Sequence, residues 1–322
     1  MWENLPDILR LSLFVAIPLL VVALAGLFSE RSGVTNIALE GIMVIGAFTS
    51  AYFMGVIYEK TGLDGNVLFL IGMIIAMSFG MIFSVLHAYA SVSMKADQII
   101  SGTALNLFAP AFAVFIAQSL TGYSKVSYPS NSFFIRETFL SDIPILGPII
   151  FTKTWMSVYV GFFLLILAYI VLYKTRFGLR LRSCGEFPQA SDAAGVNVKK
   201  MRYAGVLISG ALAGLGGLFY IVPITGNYDA NFGVYGYGFL ALAVLISGQW
   251  KPFRILFIAL LFGFVSKISS MTILIPFIYD MKLPTEILNA LPFFVTLIVL
   301  AFTSKKSQAP RAVGEPYDPG KR

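Results

Sequence analysis

The chain has one cysteine and one histidine in 322 residues. Cys184 alone excludes an internal disulfide, and His87 alone leaves no histidine pair for a metal site. No G-x-x-x-x-G-K-[ST] loop occurs, so any ATP that drives this protein is bound by another chain. No nucleophile stands with a placed base, which leaves hydrolytic chemistry unsupported. Charged residues make up 12% of the chain, about half the share usual in soluble proteins. A positively charged leader is also missing. Glu3 and Asp7 stand where it would be, so the first apolar run reads as a retained span.

What is present is apolar. Hydrophobic residues are 57% of the chain and the mean hydropathy is +0.82. Long apolar runs between short polar breaks predict an all-α polytopic membrane protein. Spans are expected near 11–28, 34–55, 67–86, 99–120, 156–173, 203–222, 237–247, 253–271 and 287–302. Eight to ten crossings cover the reasonable splits. The segment 237–247 is too short for a full crossing and reads as a broken or re-entrant element. The hydrophobic groups before and after residue 174 are expected to pack as one transmembrane domain over 1–304.

The net charge of +7 does not indicate nucleic acid, because the excess lies beside spans. Residues 174–202 hold seven Lys or Arg (Lys174, Arg176, Arg180, Arg182, Lys199, Lys200, Arg202) against Glu186 and Asp192. This loop is expected on the cytoplasmic side, and Cys184 with it in a reducing compartment. Lys305, Lys306, Arg311, Lys321 and Arg322 place the C-terminus on the same side and the N-terminus outside. The tail 305–322 reads as disordered. Outside, 121–154 contains Pro129, Pro144 and Pro148 and is either a structured lid, a docking surface or an ordinary loop. The stretch 223–236 has turn chemistry.

Within the basic loop, 185–196 reads as one short helix. Pro188 suits its first turn, Glu186 complements its N-terminus and Gly195 ends it. Ala190, Ala193 and Ala194 form a small face open to close approach by another surface. The helix either docks a partner or seals the loop. Glu40 and Asn36 lie one turn apart in the second span, and a carboxylate there must face the bundle, water or a partner. Lining a translocation path is one account of Glu40; pairing with Arg31 or a loop lysine is another. Asn106 is the deepest member of a polar group with Asp97, Gln98, Ser101 and Thr103, either facing a solute or hydrogen-bonding inside the bundle. Gly210, Gly214 and Gly217, with Ala213, form a small-residue seam for helix packing.

At these residues the sequence resembles an ATP-binding-cassette importer permease, of the group serving branched-chain amino acids, simple sugars and nucleosides. The resemblance rests on ERSGVTNIALEG at 30–41, TRFGLRLR at 175–182, the segment 185–196 and GYGFLALAV at 236–244. Glu40, Glu186 and Pro188 are most like the nucleoside-importing branch, with the sugar branch next. The resemblance implies a non-catalytic permease in a bacterial cell membrane, inner or plasma. Its expected partners are a second, related permease, a cytoplasmic ATPase that binds ATP and Mg, and an extracellular lipoprotein or periplasmic solute-binding protein. Gly185, Glu186, Pro188, Ala190, Ala193, Ala194 and Gly195 would then couple to the ATPase, with Asn36, Glu40 and Asn106 as candidates for the path. An ion-coupled carrier using Glu40 is the competing expectation.

Overall fold

The computed structural model describes residues 5–137, 147, 151–270, 285–303 and 309–318. Pro144 and Pro148 of the long connection, and Lys305, Lys306, Lys321 and Arg322 of the tail, lie outside them. Helices occupy the apolar runs: α1 (Leu5–Arg31), α2 (Leu39–Thr61), α3 (Gly65–Ala88), α4 (Gln98–Thr121) and α5 (Met156–Lys174) precede the basic loop. The loop forms α6 (Arg176–Glu186) and α7 (Pro188–Ala193); α8 (Val198–Tyr220), α9 (Tyr237–Ser247), α10 (Pro252–Ser270) and α11 (Thr285–Thr303) follow. Among the described residues seven helices are long and apolar enough to cross a membrane, with α9 and the 290–299 part of α11 as shorter apolar helices.

Small residues set where the helices meet. α8 packs against α1, α2 and α3, and so joins the segments before the basic loop to those after it. Gly214 sits at the three-way contact. A Cβ there would strike the Ala76 carbonyl of α3, and a Cβ on Gly46 of α2 would strike the Gly214 backbone. Gly210 lies against Gly80 and Ser84, and Gly217 against Met43. With no side chain between them, backbones approach closely and dispersion replaces the hydrophobic drive that lipid does not supply. α1 is almost wholly buried at the centre, while α4 shows most of its apolar surface to the outside.

α2 begins at Leu39, five residues later than the hydropathy predicts. Gly33 takes a left-handed φ of +94° and residues 34–36 form no regular element. α9 is 11 residues long, about 16 Å, roughly half of the ~30 Å hydrocarbon core. Its C-terminal end leads to Trp250 at the basic end, whereas its N-terminal end bonds to Glu40 on α2. It is a half-length helix that begins inside the bundle. At the opposite end, β1 (Lys125–Val126) pairs with β4 (Tyr228–Asp229), and β2 (Phe134–Glu137) with β3 (Thr152–Trp155), both antiparallel. These two ribbons give the described part of the long connection a built form.

Of the tail 305–322, residues 309–318 are described. Residues 309–318 lie against the basic loop, with Pro310, Ala312 and Tyr317 buried. The physical reason is local: Arg202, Gly185 and Glu186 present polar groups that the tail backbone satisfies.

Candidate functional site

The 185–196 segment is two helices joined at Phe187 rather than one. α6 starts at an N-cap, where the Thr175 hydroxyl accepts from the Gly178 N–H (3.1 Å). It ends because Pro188 disfavours helical backbone in the residue before it, and Phe187 has φ −143°, ψ 84°. Pro188 opens α7, as its composition predicts, and Gly195 at φ +81° closes it. Glu186 is the last residue of α6 and makes no cap bond to α7. Its carboxylate instead meets Arg31 (3.5 Å) and the Arg311 N–H (3.4 Å).

α7 turns its small face outward. Pro188 and Ser191 are buried, while Ala190, Ala193, Ala194 and Gly195 are exposed. Ala190 and Ala194 line an open groove of about 290 Å³ together with Phe187, whose ring is 55% exposed. Cys184, behind this face, is fully buried, and burial pushes its thiol up from the ordinary value, with Arg202 opposing the shift.

Behind α7 the loop is keyed into the bundle. A Cβ on Gly185 would collide with the Arg31 carbonyl, so the α6 backbone rests directly on the end of α1. Arg31 also donates to the Trp250 carbonyl (3.1 Å), and the Trp250 indole N–H donates to Glu30. Tyr173 of α5 reaches the same carbonyl (3.3 Å), and Arg182 of α6 lies over the Tyr173 ring at 4.7 Å. Glu30 and Arg31, which nearly cancel as bare charges, therefore reach in different directions. Trp250 was not singled out by the sequence. Its place beside Lys251 in a turn resembles an ordinary interface anchor.

The turn after Arg31 leads to the expected path residues. Thr35 N–H donates to Gln98 Oε1 (2.7 Å), and Thr35 carbonyl accepts from His87 Nε2 (2.9 Å). A carbonyl only accepts, so Nε2 carries the proton and Nδ1 accepts from the Ser101 hydroxyl (3.1 Å). His87 is thus a structural bridge. Asn106 uses both ends of its amide on the start of α2: Oδ1 accepts from Gly41 N–H and Nδ2 donates to Ile37 carbonyl, each at 2.8 Å. Among the described residues Glu40 pairs with neither Arg31 nor a lysine. Its two oxygens accept from Gly236 N–H (2.8 Å) and Gly238 N–H (2.6 Å). Negative charge at a helix N-terminus is favourable, more so where water is scarce. Gly236 is left-handed at φ +81°, and a Cβ on Gly238 would lie 2.5 Å from Glu40 Cα, which accounts for the Gly-Tyr-Gly pattern. Asn36 is fully buried; Nδ2 donates to Ser209 of α8 (2.9 Å), and Oδ1 has no partner among the described residues. The structure therefore brings Asn36, Glu40 and Asn106 onto one segment, 36–41 with its clasp, and fixes that segment to α4, α8 and α9.

Comparison with known proteins agrees with this architecture. Residues 8–300 match the family described as branched-chain amino acid transport system / permease component. The nucleoside ABC transporter permease protein NupC of Lactococcus lactis is 41% identical over 305 residues, covering 95% of this chain and 94% of the relative. The guanosine ABC transporter permease protein NupQ of Bacillus subtilis is 40% identical over 321 residues, 99% of each chain. The putative glucose ABC transporter permease protein TsgC13 of Haloferax volcanii is 27% identical over 319 residues, 94% of this chain and 93% of the relative. No solved structure matches. The match runs from α1 into α11, and the chain belongs to the branched-chain amino acid transport system permease family, as a non-catalytic permease subunit of an ABC importer similar to the nucleoside permeases.

Proposed function

We propose that this permease moves nucleosides inward, paired with a second, related permease. The observation that carries the substrate is near full-length identity of 41% and 40% to a nucleoside and a guanosine permease, against 27% to a putative glucose permease. A cytoplasmic ATPase binds ATP with Mg and seats on Ala190, Ala193 and Ala194 of α7. A solute-binding protein or lipoprotein delivers the nucleoside at the opposite end. The basic end, with Arg176, Arg180, Arg182, Lys199 and Lys200, faces the cytoplasm, and the N-terminus faces outward.

The mechanism follows from rigidity. Closure of the ATPase pushes α7; Gly185 and Glu186 pass the displacement to Arg31, and the 32–38 turn passes it to the start of α2 and, through Glu40, to α9. Alternating access needs such a connection between an inner force and the arrangement of the path. Of the three expected path residues, Asn36 alone keeps an unpaired polar atom, so the proposal retains it as the solute contact and gives Glu40 and Asn106 to support.

The deciding experiment is uptake by the assembled complex in proteoliposomes with ATP inside the cytoplasmic compartment, comparing guanosine, uridine, glucose and leucine. Nucleosides should enter and compete with one another. Glucose uptake unaffected by excess nucleoside would sink the substrate assignment.

A further inference from the structure

We propose that residues 309–318 form a positioning strap that ties the α6–α7 junction to the start of α8 and to the turn before α2, so that movement of α7 reaches both. The inference rests on the reading that an ATPase grips α7. The segment touches several separate elements. Ala312 N–H donates to the Gly185 carbonyl (2.9 Å), and Arg311 N–H to Glu186 (3.4 Å). The Arg311 guanidinium stacks 5.2 Å over the Phe187 ring. Gly314 passes beside Thr35 in the turn before α2. Asp318 pairs with Lys95, beyond α3, at 3.1 Å.

Arg202 is the centre of the attachment. It sits near the start of α8 and is 1% exposed. Its Nη1 donates to the Glu315 carbonyl (2.7 Å), and its guanidinium lies 5.9 Å from the Tyr317 ring. A buried guanidinium needs acceptors and a cover; the strap supplies one acceptor, at Nη1, and the Tyr317 ring as cover, while Nε and Nη2 have no partner among the described residues. Tyr317 is 7% exposed and packs on Cys184 and Val198, and the Asp192 carboxylate of α7 acts on its hydroxyl. Without the strap, α7 would keep its direct packing on α8 and the Gly185–Arg31 junction. With it, the α6–α7 junction is also linked to Arg202 and to the turn that carries Asn36. The exposed Lys95–Asp318 pair adds little, since such pairs contribute about 0–1 kcal/mol; the buried Arg202 and Tyr317 contacts carry the attachment.

The test uses the full complex in proteoliposomes, with residues 309–322 deleted or with Tyr317→Ala. Two quantities are read: the rate of Cys184 modification by a maleimide from the cytoplasmic face, and nucleoside uptake per ATP hydrolysed. Cys184 should react at least about tenfold faster in both variants, as local opening exposes it. Uptake per ATP should fall at least about fivefold, the lower end of ordinary coupling, with the ATPase still co-purifying. Asp318→Asn should stay within about twofold of the parent. Cys184 unmasked with an unchanged uptake-to-ATP ratio would show a passive tail, and Cys184 still masked after deletion would show that the strap does not cover it; either overturns the proposal. Ala194→Arg separates the two ideas. If that variant docks and works normally, the α7 reading has failed, whereas failure of the strap shows only in the tail variants.

Discussion

Glu40 of α2 holds the N–H of Gly238 on α9 at 2.6 Å, and that of Gly236 at 2.8 Å. One carboxylate therefore terminates the half-helix that starts inside the bundle. Glu40→Leu leaves a buried donor, Gly238 N–H, and a half-buried one, Gly236 N–H, without acceptors, the buried one costing about 1–3 kcal/mol. Glu40→Gln keeps one acceptor and should fall between the parent and Leu. Thermal unfolding of the detergent-purified complex is the measurement, and a Leu variant as stable as the parent would refute the clasp.

The glycines divide by what surrounds them. Gly214 is enclosed by Ala76 and Gly80 of α3 and abuts Gly46 of α2, whereas Gly122 has open space around it and a φ of +76°. Gly214→Val should disrupt the α2–α3–α8 contact, since overpacking typically costs about 1–3 kcal/mol. Gly122→Asn should cost a few tenths, because asparagine tolerates the left-handed region. Yield of monodisperse protein and its melting midpoint check both. Equal behaviour of the two variants would mean the seam is loose.

The helices were legible because burial in lipid is written residue by residue as hydropathy. The short span 237–247 coincides with α9, and Pro188 and Gly195 bound α7. What hydropathy does not encode is pairing between distant residues. Glu40 reads in sequence either as a path carboxylate or as a partner of Arg31 or a loop lysine, because nothing near it offers two N–H donors; Gly236 and Gly238 stand 196 and 198 residues away. The break at Phe187 was readable from Pro188 alone, but the arginines before it read as loop charge, although they form the polar face of α6. The tail reads as disordered in the sequence. Its order comes from Arg202, which in sequence is one more basic residue in a basic stretch.

The exposed small face of α7 makes a prediction about docking. Ala194→Arg puts a long charged side chain into a groove of about 290 Å³. Gly195, Ala193 and Ala190 beside it are solvent-facing, so the fold has no reason to change. Central interface positions can cost 2 kcal/mol or more when disturbed, so ATPase affinity should drop roughly thirtyfold. Co-purification of the ATPase and uptake should fall together while the melting midpoint of the permease stays. Full retention of uptake would remove α7 from the interface.

Topology and burial can be separated with one pair of cysteines. Cys184 is fully buried with its thiol pushed up, so little thiolate is available near neutral pH and access is poor. Modification by an impermeant maleimide should therefore be slow from either face, accelerating as pH rises because the thiolate fraction grows while the thiol is still titrating. In a Cys184→Ala background, Ala193→Cys places a thiol on the exposed side of α7. It should react rapidly in inside-out vesicles stripped of the ATPase and remain unmodified in intact cells. Ready labelling of Ala193→Cys in intact cells would invert the membrane orientation, and with it every assignment of α7 to a cytoplasmic motor.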